Sequence, residues 1–199
     1  MLLAVLAAGC AASNAPTAAP SAAPAATPTP GATASDAAVT TPAASPVGSV
    51  PAPGTCASNL RFCLPDQFAV LPLVVESLDP AKFLAGTAGG QSVQAFVEQQ
   101  GMAVSDLEVA SAREVTGTVS VTFFAFRLRG VDAVALGDTF ANAAIAAGES
   151  VERATVLGRV VARYSGEGRV EYLHPNADVL YGIRAGTEQI ANDALAVLP

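Results

Sequence analysis

From Ala11 to Thr55 the chain consists almost wholly of Ala, Pro, Thr and Ser, with Asp36 its only charged residue and no aromatic. That stretch confines any fold to the residues beyond it. It has too little large apolar surface to offset the entropy of ordering it. Pro recurs from Pro16 to Pro53, which blocks helix propagation and favours extended conformations. The segment therefore reads as a disordered, low-complexity tether. Its span lies between about 40 Å as a coil and about 140 Å fully extended. Its Thr and Ser residues are a plain spacer or, alternatively, O-glycosylation acceptors as in mucin-like stalks.

At Cys56 the composition changes. Every Arg, the single Lys82 and every aromatic lie beyond it. The part from Cys56 to Pro199 is long enough for one domain with a real core. Hydropathy is positive on average, but the excess comes from Ala and Val, and no run of about 18 apolar residues exists to span a bilayer. The net charge is −7, and no concentrated basic face stands out, which argues against a nucleic-acid partner.

The chain opens Met-Leu-Leu-Ala-Val-Leu-Ala-Ala-Gly-Cys, an apolar stretch with small residues before Cys10. This resembles the end of a bacterial lipoprotein signal peptide, whose lipobox sets small residues before an obligatory Cys. Ala7 stands where that pattern prefers Leu, and no Lys or Arg precedes the apolar run. A start upstream, adding a basic residue and more apolar ones, is therefore expected. The resemblance implies cleavage between Gly9 and Cys10 and lipid on the Cys10 thiol. Two or three acyl chains hold a protein on a bilayer far better than one does. The expected organisation is a signal segment 1–9, a lipidated Cys and tether 10–55, and a globular domain 56–199. It would be anchored to the cell membrane on the extracytoplasmic side.

In an exported protein Cys56 and Cys63 read as a disulfide that locks the entry loop. The alternative, a metal site, would need further Cys or His ligands, and none is near. After them the periods alternate. A proline-bearing edge strand, Val70–Val75, precedes a helix capped by Asp79-Pro80. A helix follows over Ser92–Gln100, then strands Leu107–Val115 and Thr118–Leu128. Phe124, Phe126 and Leu128 share one face of the second strand, while Phe123 and Ala125 share the other. Asp132 caps a helix running to about Ala147 with Leu136, Phe140, Ala143, Ala144 and Ala147 on one stripe. Strands follow at Val151–Leu157, Arg159–Tyr164, Arg169–Leu173 and Val179–Arg184, with the segment from His174 to Asp178 as a turn. A last helix from Thr187 carries Ile190, Ala194, Val197 and Leu198 inward. The order implies α+β: an antiparallel sheet with about three helices packed on one face. Leu107–Ala147 and Arg169–Leu198 repeat a strand-strand-helix pattern.

Chemistry is sparse. His174 is the only histidine; with Asp178 nearby it could serve a catalytic triad, but no Gly-x-Ser-x-Gly elbow accompanies it, and a turn histidine is the plainer reading. Gly86-Thr87-Ala88-Gly89-Gly90 lacks the Lys-Ser/Thr of a phosphate loop. The carboxylate pairs Asp106/Glu108, Glu149/Glu152 and Glu167/Glu171 are acid/base or metal candidates by proximity alone, and read better as surface charge. Arg127 with Arg129, and Arg159 with Arg163, have the spacing of strand neighbours on one face. They form either an anion-binding face or, paired with carboxylates, an ordinary solvated one. No cofactor or metal is expected. The function expected is a non-catalytic binding or interaction module of the cell envelope, its partner a protein, polymer or lipid. The alternatives are a carrier of a lipid or small apolar ligand and, last, an enzyme. Small residues such as Ala143, Ala144, Ala147, Ala191 and Ala194 leave room for a cavity or permit tight packing.

Overall fold

The computed structural model describes residues 55–166 and 168–199; Cys10, the tether and Glu167 lie outside the described residues. A short helix α1 (Thr55–Ser58) and a 3-10 turn (Leu60–Cys63) lead into strands β1 (Gln67–Phe68) and β2 (Leu71–Leu78). Helices α2 (Pro80–Ala85) and α3 (Gly90–Gln99) follow, then β3 (Leu107–Glu114), β4 (Val121–Leu128) and α4 (Ala133–Ala146). The chain ends through β5 (Ser150–Val156), β6 (Arg159–Gly166), β7 (Arg169–Asn176), β8 (Val179–Ala185) and α5 (Glu188–Val197).

The helices start where their caps dictate. Asp79 accepts from the Lys82 N–H at 3.0 Å, Asp132 from Val134 at 2.8 Å and Thr187 from Ile190 at 3.3 Å. All strand pairs are antiparallel, in the order β1-β2-β3-β4-β8-β7-β6-β5. β4 and β8 lie at the centre and are nearly buried throughout.

The expectation that the helices pack on one face is overturned. The molecule is chiefly an eight-stranded sheet, and its helices lie on both sides. On one face Phe123, Ala125, Tyr172, Tyr181 and Ile183 pack with Ala191, Ala194 and Leu195 of α5 and with Leu60 and Cys63 of the entry turn. On the other, Val109, Phe126, Leu128 and Leu180 pack under Leu84 of α2, Val93 and Val97 of α3, and Leu136 and Phe140 of α4. The reason lies in β4. Val121, Phe123 and Ala125 alternate with Phe124, Phe126 and Leu128, so both faces of the central strand are apolar and both require a cover. The two strand-strand-helix units exist as β3-β4-α4 and β7-β8-α5, but they deliver their helices to opposite faces.

The turn expected from His174 to Asp178 is also shorter than its sequence suggests. β7 runs on through His174, Pro175 and Asn176 and leaves only Ala177-Asp178 as the turn. Pro175 has no N–H to offer β6, and the pairing of β6 with β7 stops at Ala162 and Leu173. Beyond it the His174 ring meets β6, its Nδ1 lying 3.1 Å from the Val160 carbonyl.

Candidate functional site

Cys56 and Cys63 are joined by a disulfide, with their Cα atoms 4.7 Å apart. It fixes the start of the domain beside the core, where Cys63 is buried. The Cys56 carbonyl accepts a hydrogen bond at 3.1 Å from Arg127 on β4.

The four arginines considered as an anion-binding face, Arg127, Arg129, Arg159 and Arg163, all have structural partners. Arg127 is 1% exposed and bonds Glu108 at 2.7 Å, and Arg129 bonds the other oxygen of Glu108 at the same distance. Arg159 donates to the carbonyls of Leu195, Leu198 and Pro199 and so caps the end of α5. Arg163 bridges Glu152 at 2.8 Å and Glu188 of α5 at 3.0 Å; the Glu152 bond and the nearby Glu188 charge raise its pKa. Asp106 is engaged by the Ala103 N–H. His174 meets the Val160 carbonyl, while Asp178 lies 3.8 Å from Arg127. Burial lowers the pKa of His174 and keeps the ring neutral. Among the described residues no cluster of three or more His, Cys, Asp or Glu could hold a metal ion.

A feature of a different kind lies on the face covered by α2, α3 and α4. A groove of about 560 Å³ runs between the α2–α3 connection and α4, over the centre of the sheet. Its floor includes Gly182 of β8, opposite Phe124, where the lack of a side chain lets Phe124, Phe126 and Leu173 close to within 3.2–3.4 Å of the place a Cβ would take. Its apolar wall is a cluster of rings. Phe124 and Phe126 stack at 6.0 Å, Phe83 leans on both at 5.8 and 5.3 Å, and Phe140 of α4 meets Phe126 at 5.0 Å.

The rim is charged. Register sets Glu171 of β7 opposite Arg184 of β8, and both the Arg184 Nε at 2.6 Å and the Arg169 Nε at 3.2 Å meet one oxygen of Glu171. Arg184 also lies over the Phe124 ring, 5.6 Å from its centroid. Lys82 and Glu149 complete the charged lining.

Tyr164 of β6 stands where the groove meets a second hollow of about 440 Å³, and lines both. It is 8% exposed, and its hydroxyl is buried with no hydrogen-bond partner. Burial first, then the charges of Glu171 and Glu149, raise its pKa well above the ordinary tyrosine value, so the hydroxyl keeps its proton.

The strands expected at Arg169–Leu173 and Val179–Arg184 hold Arg169 and Arg184, but the groove was missed. The sequence held one usable signal, the Phe124/Phe126 face of β4. Phe83, Phe140 and Tyr164 come from other elements and meet it only through the sheet order.

The fold and site define a mainly β domain with a surface groove, aromatic below and charged at its rim. No family model, no curated protein and no solved structure matches the chain. No described helix is long and apolar enough to cross a membrane.

Proposed function

We propose that this chain is a lipid-anchored protein of a bacterial cell envelope, and that its folded part is a non-catalytic binding module whose ligand lies in the groove between α2–α3 and α4. The observation that carries the reading is the groove itself. It is an open space of about 560 Å³ with four phenyl rings on its inner side and fixed charges at its mouth. Apolar walls with a few placed polar groups are the usual make-up of a ligand site. The Cys10 context supports the anchor by its resemblance to a lipobox, and the tether would hold the domain clear of the headgroups. The aromatic wall also favours a second reading, a carrier that passes an apolar ligand on.

The test is mass spectrometry of protein extracted from membranes. A mature chain that starts at lipid-modified Cys10 is the expected result, and an unmodified Cys10 would remove the anchor. For the groove, native spectra of wild type and Gly182→Val are compared. Co-purifying small molecules should be lost in the variant, because even a Cβ at position 182 would press on Phe124 at 3.2 Å and on Leu173 and Phe126 at 3.4 Å and displace the side chains that line the groove. Retention of the same molecules by both proteins would place the ligand elsewhere.

A further inference from the structure

Among the described residues, three buried side-chain polar atoms lack a hydrogen-bond partner: Arg127 Nε, Arg163 Nε and the Tyr164 hydroxyl. Both arginines are bonded through their other nitrogens. Tyr164 has no other polar group, so its side chain is wholly unsatisfied. A buried tyrosine normally finds a partner, as Tyr172 does by donating to Asn192 Oδ1 at 2.9 Å. An isolated buried hydroxyl disfavours the free protein, and a ligand oxygen arriving beside it would recover the missing bond.

The surroundings of Tyr164 say what kind of oxygen. A protonated hydroxyl can donate to an acceptor. Arg169 and Arg184 both spend only Nε on Glu171, and no other hydrogen bond or ion pair engages their terminal nitrogens among the described residues. Guanidinium forks of this kind match carboxylate or phosphate oxygens. Among the described residues the charged lining holds three cations, Lys82, Arg169 and Arg184, against two anions, Glu149 and Glu171. Its described lining is thus net positive on a chain of net charge −7.

We propose that the groove takes an amphipathic anion, its apolar body lying on Phe83, Phe124 and Phe140 and its carboxylate or phosphate head held by the Tyr164 hydroxyl and the free ends of Arg169 and Arg184. This rests on the reading of the groove as a binding site. The shared chemistry has two sources: an acyl chain, as in a fatty acid or lysophospholipid, or a free aromatic acid.

The test uses the full chain with Cys10→Ser, so that no lipid is attached. Laurate, 4-phenylbutyrate and dodecyltrimethylammonium are titrated by calorimetry and by amide NMR. At least one acid should bind and shift amides of the groove, and the cation should bind about tenfold more weakly or worse. Which acid binds better names the source. Tyr164→Phe should lower acid affinity about tenfold, the effect of one hydrogen bond to a charged group, and leave cation binding unchanged. Arg184→Gln should also weaken the acid and reduce its sensitivity to salt. Ligand-free Tyr164→Phe should melt no lower than wild type, because it loses only an unsatisfied hydroxyl; a merely structural role would lower the melting point. Equal affinity for cation and acid, or unchanged acid affinity in Tyr164→Phe, would overturn the anion assignment while leaving the groove a binding site. If none of the probes shifts groove amides, the binding-site reading falls with it.

Discussion

Replacing Glu108 by Gln should destabilise the protein more than replacing Arg127 by Met, although Arg127 is the more deeply buried of the two. Arg127 is 1% exposed and Glu108 30%. The guanidinium has Glu108 at 2.7 Å, the Cys56 carbonyl at 3.1 Å and Asp178 at 3.8 Å, the last strongly exposed. Glu108→Gln leaves a buried cation with only a distant, solvated counter-charge. Breaking a fully buried pair from one side costs about 3–5 kcal/mol, and the part exposure of Glu108 brings the expectation to about 2–3 kcal/mol. Arg127→Met removes the charge that is costly to bury and fills much of the same volume. Glu108 keeps Arg129 at 2.7 Å, so the chief loss is the bond to the Cys56 carbonyl, about 1 kcal/mol. The assay is urea denaturation at pH 7 of the Cys10→Ser chain and each variant. With a slope of about 1–3 kcal/mol per molar, Glu108→Gln should lower the midpoint by about 1 M, and Arg127→Met by less than half as much.

A second axis is pH. Burial raises the pKa of Glu108, but hydrogen bonds and charges from Arg127 and Arg129 outweigh it and hold the value below the ordinary 4.5. The folded state then binds this proton less readily than the unfolded state. The stabilisation is complete above pH 4.5 and is lost as pH falls through the folded value. Arg127→Met should shrink that acid limb and Glu108→Gln abolish its Glu108 part. A larger loss at pH 7 in Arg127→Met than in Glu108→Gln would refute the reasoning about which partner depends on the other.

Gly89→Ala should lower stability by about 2–4 kcal/mol in a thermal melt, because Gly89 has φ +70° and an added Cβ would lie 2.6 Å from Ala143 on α4. Cys56→Ser with Cys63→Ser should cost about 2.5 kcal/mol by chain entropy, read as a drop in urea midpoint, and reduction of the wild type should reproduce it. His174→Gln should flatten the pH dependence of stability below neutrality. The folded pKa of His174 lies below the ordinary 6.5, so its contribution is full above that value and falls with pH toward the folded one. Parallel pH profiles for variant and wild type would count against the half-buried, neutral imidazole.

The range of each signal decides how much of the structure is legible in the sequence. Asp79, Asp132 and Thr187 each cap a helix through an N–H two or three residues on, and such local bonds are readable from adjacent residues. The parity of Phe123 against Phe124 is equally local. The allocation of helices to faces is not. The stripe Leu136, Phe140, Ala143 and Ala144 says that α4 is buried on one side, but no residue in α4 records which side of the sheet it crosses. Ala147, placed on that stripe, proves exposed, because the helix has already ended. The groove was illegible for the same reason. Its rings come from three elements, Phe83 of α2, Phe124 and Phe126 of β4 and Phe140 of α4, and a tyrosine at 164 in a strand reads as packing until its hydroxyl is found alone.

The difference between the two faces explains why a groove forms beside α2–α4. Under α5 the sheet offers large rings, Phe123, Tyr172 and Tyr181, while the helix offers Ala191 and Ala194, fully buried. Large side chains on one layer against small ones on the other fill the space. On the opposite face the pairing is reversed in one place. β8 carries Gly182 at the centre of the sheet, and α3 and α4 approach closely where Gly89 meets Ala143. The helices are thus held by a contact beside the groove rather than by a side chain rising from its floor. The space left over Phe124 is bounded by Arg184 and Glu171, polar residues at strand positions that a closed core would fill with apolar ones. The small residues noted in the sequence therefore serve both ends considered for them: tight packing under α5, and space beside Ala144 of α4.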